Sequence, residues 1–201
     1  MSLNTMKPAR LLMLIIVLSL STGCITMYYS RFQKFDDEFK NSRKLIARVN
    51  LRPVERRTEI NSAYVVFERE ISGGKNNTNA YFVVSRSTRS FRIEDKGYLK
   101  AGARSFEISL SNIISEYKSR SSAAFQTFAG ADSTGSSAGV LADMDERIWI
   151  DDKFKFSLTP EMTSEIKNTG EFLARFYFGP VPATFRFKGS KFNPVKKLLA
   201  E

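Results

Sequence analysis

The chain has 201 residues, with 31 basic and 21 acidic side chains, a formal net charge of +10, one cysteine and no histidine. The absence of histidine excludes Ser-His-Asp and Cys-His catalysis and histidine-ligated zinc. Carboxylate catalysis, Ser-Lys pairs and calcium held by oxygen ligands stay open. The excess of positive charge favours anionic partners: lipid headgroups, lipopolysaccharide, acidic glycans or nucleic acid.

The N-terminus has three parts in the order that is typical of an export signal. Lys7 and Arg10 precede the apolar run 11–20, which is followed by the small residues 21–23 and then by Cys24. This run is about half as long as the ~20 residues that a membrane-spanning helix needs. A basic start, a short apolar run and small residues at its end therefore predict a signal peptide.

This segment resembles the bacterial lipoprotein signal, in which a small residue precedes a cysteine that receives a diacylglyceryl thioether and becomes the mature N-terminus. The residues that carry the resemblance are Ser21-Thr22-Gly23-Cys24. Ser21 stands where the family commonly has Leu, and Leu20 lies one position earlier. The resemblance implies that residues 1–23 are removed and that acylated Cys24 binds the lipid bilayer. A chance cysteine behind an ordinary cleaved signal is the alternative.

Lipidation of Cys24, the only cysteine, would leave no thiol for a disulfide or a cysteine metal site. Residues 24–30 are then a short lipidated tether, and residues 31–201 are long enough for a single globular domain. The resemblance also implies a location in the cell envelope. Ile25 follows the cysteine, and an Asp there often retains diderm lipoproteins at the inner membrane, so the outer membrane is favoured. An exported chain rarely meets nucleic acid, which we therefore do not expect as a partner.

The segment 31–43 predicts an N-terminal amphipathic helix. Phe32, Phe35 and Phe39 recur at helical spacing, with charged residues between them. We expect these rings to dock on the domain core. The alternative is that they lie in the membrane interface, but the acidic residues 36–38 argue against contact with an anionic bilayer.

Most of the remaining chain alternates apolar and polar residues with a period of two, which is typical of half-buried antiparallel strands. Gly73-Gly74 separates two such runs and predicts a hairpin turn. Further turns are predicted at 95–97 and at Asp151-Asp152. The predicted strand segments are 45–51, 64–71, 80–84, 91–94, 106–110, 148–150 and 154–158.

Residues 117–143 interrupt this pattern because they are rich in serine, alanine and glycine. They predict a long flexible loop with a helical turn at 123–128. Such a loop is either functional or disordered without a role, and the sequence leaves both open.

The C-terminal part predicts a helix, a hairpin and a second helix. Thr159 and Pro160 form a helix start, and Gly170 ends that helix. Phenylalanines alternate over 172–178 and return at Phe185 and Phe187, and a last helix covers 193–200. The predicted fold is therefore α+β: a predominantly antiparallel sheet, folded over as a sandwich, with one helix before it and two short helices at its end.

Two groups of side chains are candidates for chemistry. The acids Asp143, Asp145, Glu146, Asp151 and Asp152 lack the glycine and ligand spacing of a calcium loop, so solvated turn residues are the simpler interpretation. No phosphate-binding loop, metal site or cofactor fingerprint is present. The second group is a C-terminal basic run, which either binds an anionic surface or glycan or is a solvated face that protects a strand edge. It consists of Arg175, Arg186, Lys188, Lys191, Lys196 and Lys197.

The sequence favours a non-enzymatic, membrane-anchored envelope lipoprotein that serves as a binding or structural module, with no catalytic residue assigned. Its expected partners are the bilayer and an anionic glycan, lipopolysaccharide or another envelope protein. One alternative is a glycan or peptide hydrolase that uses two of the carboxylates. A second alternative is a surface adhesin that binds anionic ligands through its basic C-terminal face.

Overall fold

A computed structural model describes residues 31–56, 58–128 and 139–201, with the backbone alone for 122–128 and 139–145. The chain forms ten antiparallel strands and two α-helices within these ranges. In chain order they are β1 (Arg31–Asp37), β2 (Ser42–Leu51), β3 (Ile60–Ser72), β4 (Lys75–Ser87), β5 (Ile93–Ala101), β6 (Arg104–Ser109), β7 (Ser111–Phe128), β8 (Gly139–Leu158), α1 (Pro160–Thr169), β9 (Phe172–Phe178), β10 (Val181–Phe187) and α2 (Asn193–Ala200).

The strands form two sheets. The large sheet has the order β1-β2-β3-β4-β8-β7, and the small sheet has the order β10-β9-β5-β6. Gly73 and Gly74 join β3 to β4 with φ of 56° and 77°, which a two-residue hairpin turn requires and which glycine adopts without strain. The α+β class, the antiparallel sheets and the two C-terminal helices predicted from the sequence are confirmed.

Phenylalanine rings from the inner faces of both sheets form the core. The ring centroids of Phe82 and Phe154 on the large sheet lie 4.9 and 4.8 Å from that of Phe176 on the small sheet, in edge-to-face geometry. The rings of Phe172 and Phe187 stack within the small sheet, with their centroids 4.1 Å apart. All five rings are buried. The alternating residues on the other side of each strand therefore face outward.

Helix α1 begins and ends as the sequence predicts. The Thr159 hydroxyl accepts a hydrogen bond from the Met162 amide at 3.2 Å, and Pro160 opens the first turn. Gly170 ends the helix with a φ of 68°. In α2, Val195, Leu198 and Leu199 are fully buried, as their spacing predicts.

The N-terminal helix predicted over 31–43 is wrong. Residues 31–37 form strand β1, which pairs with β2 from Arg31↔Arg48 to Asp37↔Ser42. Phe32 packs on the core, but Phe35 is 49% exposed on the other face and Phe39 lies fully exposed in the turn. Pairing with the edge of β2 outweighs the weak helical preference of a segment this short.

The loop predicted over 117–143 is wrong for all of its described residues, 117–128 and 139–143. Residues 117–128 belong to β7 and residues 139–143 to β8, so the helical turn at 123–128 is wrong as well. Positions 129–138 lie outside the described residues. Small polar side chains bury little area, but a strand ladder needs only backbone donors and acceptors.

Two predicted turns are also wrong. Asp151 and Asp152 continue β8, which joins the two predicted strands 148–150 and 154–158 into one. Residues 95–97 lie inside β5, and Phe91 precedes that strand and is 59% exposed. Gly97 faces the core, where a Cβ atom would lie 2.8 Å from both the Arg175 carbonyl oxygen and the Phe176 ring.

We predict that Gly97→Ala lowers the free energy of unfolding by about 1–3 kcal/mol, because the added methyl overpacks the contact between β5 and β9. Urea denaturation followed by circular dichroism measures this loss. Ser105→Ala, on an exposed position of the neighbouring strand β6, is the control and should change stability by less than about 0.5 kcal/mol. Equal stability of the two variants would contradict the close approach.

Candidate functional site

The structure separates the six predicted basic residues. Arg175 on β9 and Arg186 on β10 are exposed on the outward face of the small sheet. Lys188 and Lys191 lie at the short 3-10 turn that follows β10. The remaining two, Lys196 and Lys197, are exposed on α2, which packs against β1, β2 and β3 of the large sheet. Only the two arginines therefore share one sheet face.

Strand alternation fixes the outward direction of these arginines. Phe172, Ala174 and Phe176 are buried, so Arg175 between them is directed away from the core. Its Nε donates a hydrogen bond to Thr184 Oγ1 on β10 at 2.9 Å. This bond positions the guanidinium and leaves its terminal nitrogens free to bind a ligand.

Strand β5 adds residues that the sequence reasoning missed. Tyr98 lies opposite Arg175, and Lys100 lies opposite Leu173. The rings of Tyr98 and Tyr177 meet edge to face with centroids 6.1 Å apart, and Tyr98 is 40% exposed. The clue in the sequence is an aromatic residue at an outward position, where a polar residue is usual. We call the five residues Tyr98, Lys100, Arg175, Tyr177 and Arg186 the small-sheet face.

The cations of the small-sheet face are not neutralised by neighbouring acids. Within the described ranges, no carboxylate forms an ion pair with Lys100, Arg175 or Arg186. Other lysines nearby are paired: Lys188 with Glu171 at 3.3 Å, and Lys96 with Glu107 at 2.8 Å. The hydrogen bond to Glu107 raises the pKa of Lys96. Three cations beside two tyrosine rings are thus available to an anionic ligand.

A groove borders the small-sheet face. It is lined by the strands β5, β9 and β10, the end of α1 and the turns beside them: Lys100, Gly102, Thr169, Glu171, Phe172, Leu173 and Arg186. Glu171 is the acid in this lining, and its partner is Lys188. Lys100 and Arg186, which belong to the small-sheet face, therefore also form part of the groove wall.

Among the described acids that were candidates for catalysis, Asp151 and Asp152 point to opposite faces of β8 and do not form a pair. Asp151 lies on the outward face of β8, where it accepts hydrogen bonds from Ser85 Oγ at 2.6 Å and Trp149 Nε1 at 3.0 Å. Asp152 points inward and is fully buried. Glu146 is exposed, and the side chains of Asp143 and Asp145 lie outside the described residues.

Asp152 is held by a buried ion pair. Arg86 donates to it through Nε at 2.5 Å and Nη2 at 3.4 Å, and Ser115 Oγ donates at 2.5 Å. Nη1 of Arg86 donates to the Ser90 carbonyl at 2.8 Å. The cluster therefore fixes the loop after β4 against β8 and exposes no carboxylate to a substrate.

The described ranges 31–56, 58–128 and 139–201 hold neither a recognisable metal site nor a membrane-spanning helix. No group of three or more His, Cys, Asp or Glu side chains there is arranged to hold a metal ion. No described helix is long and apolar enough to cross a bilayer. Cys24 and the signal peptide predicted at 1–23 lie outside the described residues, as does the tether 24–30.

Comparison with models of protein families, with curated proteins and with solved structures finds no match for this chain.

We predict that Asp152→Asn lowers the free energy of unfolding by about 3–5 kcal/mol, because it leaves the buried Arg86 guanidinium without a counter-charge. Asp151→Asn is the matched control one residue away. Its amide oxygen can still accept from Ser85 and Trp149, so it should cost about 1 kcal/mol or less. Chemical denaturation of both variants measures the difference, and similar losses would show that the pair is not the stabilising element.

Proposed function

We propose that this chain is a lipid-anchored, non-enzymatic module of the bacterial cell envelope that binds an anionic glycan through the small-sheet face. The observation that carries the proposal is the pair of tyrosines, Tyr98 and Tyr177, beside three cations without carboxylate partners. The non-enzymatic part is supported by the opposite directions of Asp151 and Asp152 and by the buried ion pair that occupies Asp152.

The side chains of this face match the chemistry of an acidic sugar. Arginine presents planar donors that fit a carboxylate, sulfate or phosphate in a bidentate manner, and it stays charged at any physiological pH. A tyrosine ring offers an apolar surface to the C–H groups of a sugar ring and a hydroxyl to its polar groups. Arg175 and Arg186 would thus bind the charged substituents while Tyr98 contacts the ring.

The anchor would place this face near its ligand. Two acyl chains on Cys24 hold a protein stably, whereas one chain alone gives marginal binding. The seven residues 24–30 can span at most about 25 Å when fully extended, so the domain would lie close to the bilayer. Confinement to a surface raises the effective concentration for glycans of the same membrane, among them lipopolysaccharide. Ile25 after the cysteine favours the outer membrane.

We predict that Arg175→Gln combined with Arg186→Gln weakens binding to heparin and to lipopolysaccharide by roughly tenfold, because two charge-assisted contacts are lost. Lys196→Gln combined with Lys197→Gln removes the same charge from α2 and is the control. Affinities from biolayer interferometry at two salt concentrations distinguish them. An equal loss in both variants would indicate a response to net charge alone and would exclude this face as the site.

We predict that Cys24→Ala abolishes incorporation of labelled palmitate and releases the chain from washed membranes, since the acyl chains supply the attachment. Ser21→Ala keeps a small residue in the signal and is the control that should still be labelled. Palmitate labelling and fractionation provide the readouts. Labelling of the Cys24→Ala chain, or its retention in the membrane pellet, would contradict the lipid anchor.

A further inference from the structure

Strand β7 is an edge of the large sheet with no strand on its outer side among the described residues. It is 18 residues long, whereas the other edge strands have six or seven. The edge at β10 is covered: the Val54 amide donates to the Thr184 carbonyl at 2.8 Å, and Glu55 accepts from the Thr184 amide at 2.8 Å. A long uncovered edge presents free donors and acceptors to another strand.

Strands β7 and β8 also extend past the rest of the large sheet. The pairing of β8 with β4 ends at Ser87↔Trp149, but its pairing with β7 continues from Lys118↔Trp149 to Phe128↔Gly139. Beyond that point the structure is a two-stranded ribbon, which we call the arm (residues 119–128 and 139–148). A two-stranded ribbon alone is marginally stable, and a third strand stabilises it.

Where the arm begins, β7 carries an acidic and a basic side chain on the same face of the sheet. Glu116 and Lys118 lie on the outward face, opposite Asp151 and Trp149. Glu116 accepts from Lys118 at 2.8 Å and from Lys153 at 2.5 Å, and these bonds lower its pKa to about 2. Tyr117 lies on the inner face but is 76% exposed. This short stretch thus presents an acid, a tyrosine and a base in succession.

We propose that β7 pairs antiparallel with β7 of a second copy of this chain, about a two-fold axis at Tyr117. In that register Glu116 of each copy lies opposite Lys118 of the other, and the two Tyr117 rings meet across the axis. Residues 114–120 of both copies would form the ladder, so that the base of the arm gains a third strand. Opposite charges in directly facing positions stabilise a strand pair.

The charges of β7 favour a two-fold axis at Tyr117 over an axis at a neighbouring residue. A two-fold axis perpendicular to the sheet keeps inward residues beside inward residues, so the axis must pass through a residue. An axis at 116, 118 or 120 would place Glu116, Lys118 or Arg120 against its own copy. An axis at 119 would oppose Lys118 to Arg120, and one at 115 would oppose Glu116 to Ile114. The axis at Tyr117 opposes unlike charges and brings no like charges face to face.

Such a dimer is independent of the proposed glycan binding but would add to it. It would bring two small-sheet faces and two lipid anchors into one assembly. Two linked weak sites bind a surface more strongly than one. The dimer can exist without any ligand, so its tests need neither the lipid nor a glycan.

Charge exchange tests the pairing. The full chain carrying Cys24→Ala, in mild detergent, should dimerise reversibly by sedimentation equilibrium. Glu116→Lys or Lys118→Glu alone should weaken the dimer by about tenfold, because each places like charges opposite one another twice. The double exchange Glu116→Lys with Lys118→Glu should restore the affinity. A monomer at all concentrations, or a dimer that none of these changes affects, would overturn the proposal.

A single introduced cysteine tests the position of the axis. In the same Cys24→Ala chain, Tyr117→Cys should form an intermolecular disulfide on mild oxidation, because facing strand residues have Cα atoms about 4.5–5.5 Å apart. Ser121→Cys is the control, since two copies of that residue would lie roughly 26 Å apart along the ladder. Non-reducing electrophoresis separates the products. A disulfide in the Ser121→Cys variant and none in the Tyr117→Cys variant would refute the register.

Discussion

Contact between the two inner sheet faces is the interaction on which the rest of the molecule depends. Phe82 and Phe154 of the large sheet meet Phe176 of the small sheet, and each strand alternates around these rings. Because aromatic rings bury a large apolar area in one layer, the sheets need no helix between them. The helices pack elsewhere on the core, α2 against β1, β2 and β3 and α1 against β5 and α2. The outward faces are therefore free to carry polar and charged side chains, among them the cations and tyrosines of the small-sheet face.

The distribution of charge is more informative than its total. The formal net charge of +10 suggests a uniformly cationic surface, but several cations are paired with neighbouring acids. Lys96 pairs with Glu107, and Lys188 with Glu171. In the protein interior, Arg86 forms an ion pair with Asp152. The cations left without partners on β5, β9 and β10 gather on one face because three different strands meet there, which a count of basic residues does not show.

Local signals in the sequence predicted much of the fold. Alternation located β2, β3, β9 and β10, and the Gly73-Gly74 turn and the caps of α1 were correct because a few neighbouring residues determine them. The predictions that were wrong concern segments whose structure depends on tertiary pairing. For example, β1 is a strand because it pairs with the edge of β2, although its phenylalanines have helical spacing. The sequence predicts the small-sheet face only in part. The basic run includes Arg175 and Arg186, but Tyr98 joins them only through the pairing between β5 and β9.

The turn predicted at Asp151-Asp152 conflicts with the alternation of strand β8. Inward positions on β8 recur at Ile150, Asp152, Phe154 and Phe156, so the alternation passes through the aspartate without a break. On β4 the same rule places Arg86 inward after Phe82 and Val84. A charged residue at an inward position requires a buried partner, and each of these strands supplies one of opposite sign. Two charges that break the apolar pattern in separate strands therefore predict that those strands are neighbours, and β4 and β8 do pair directly.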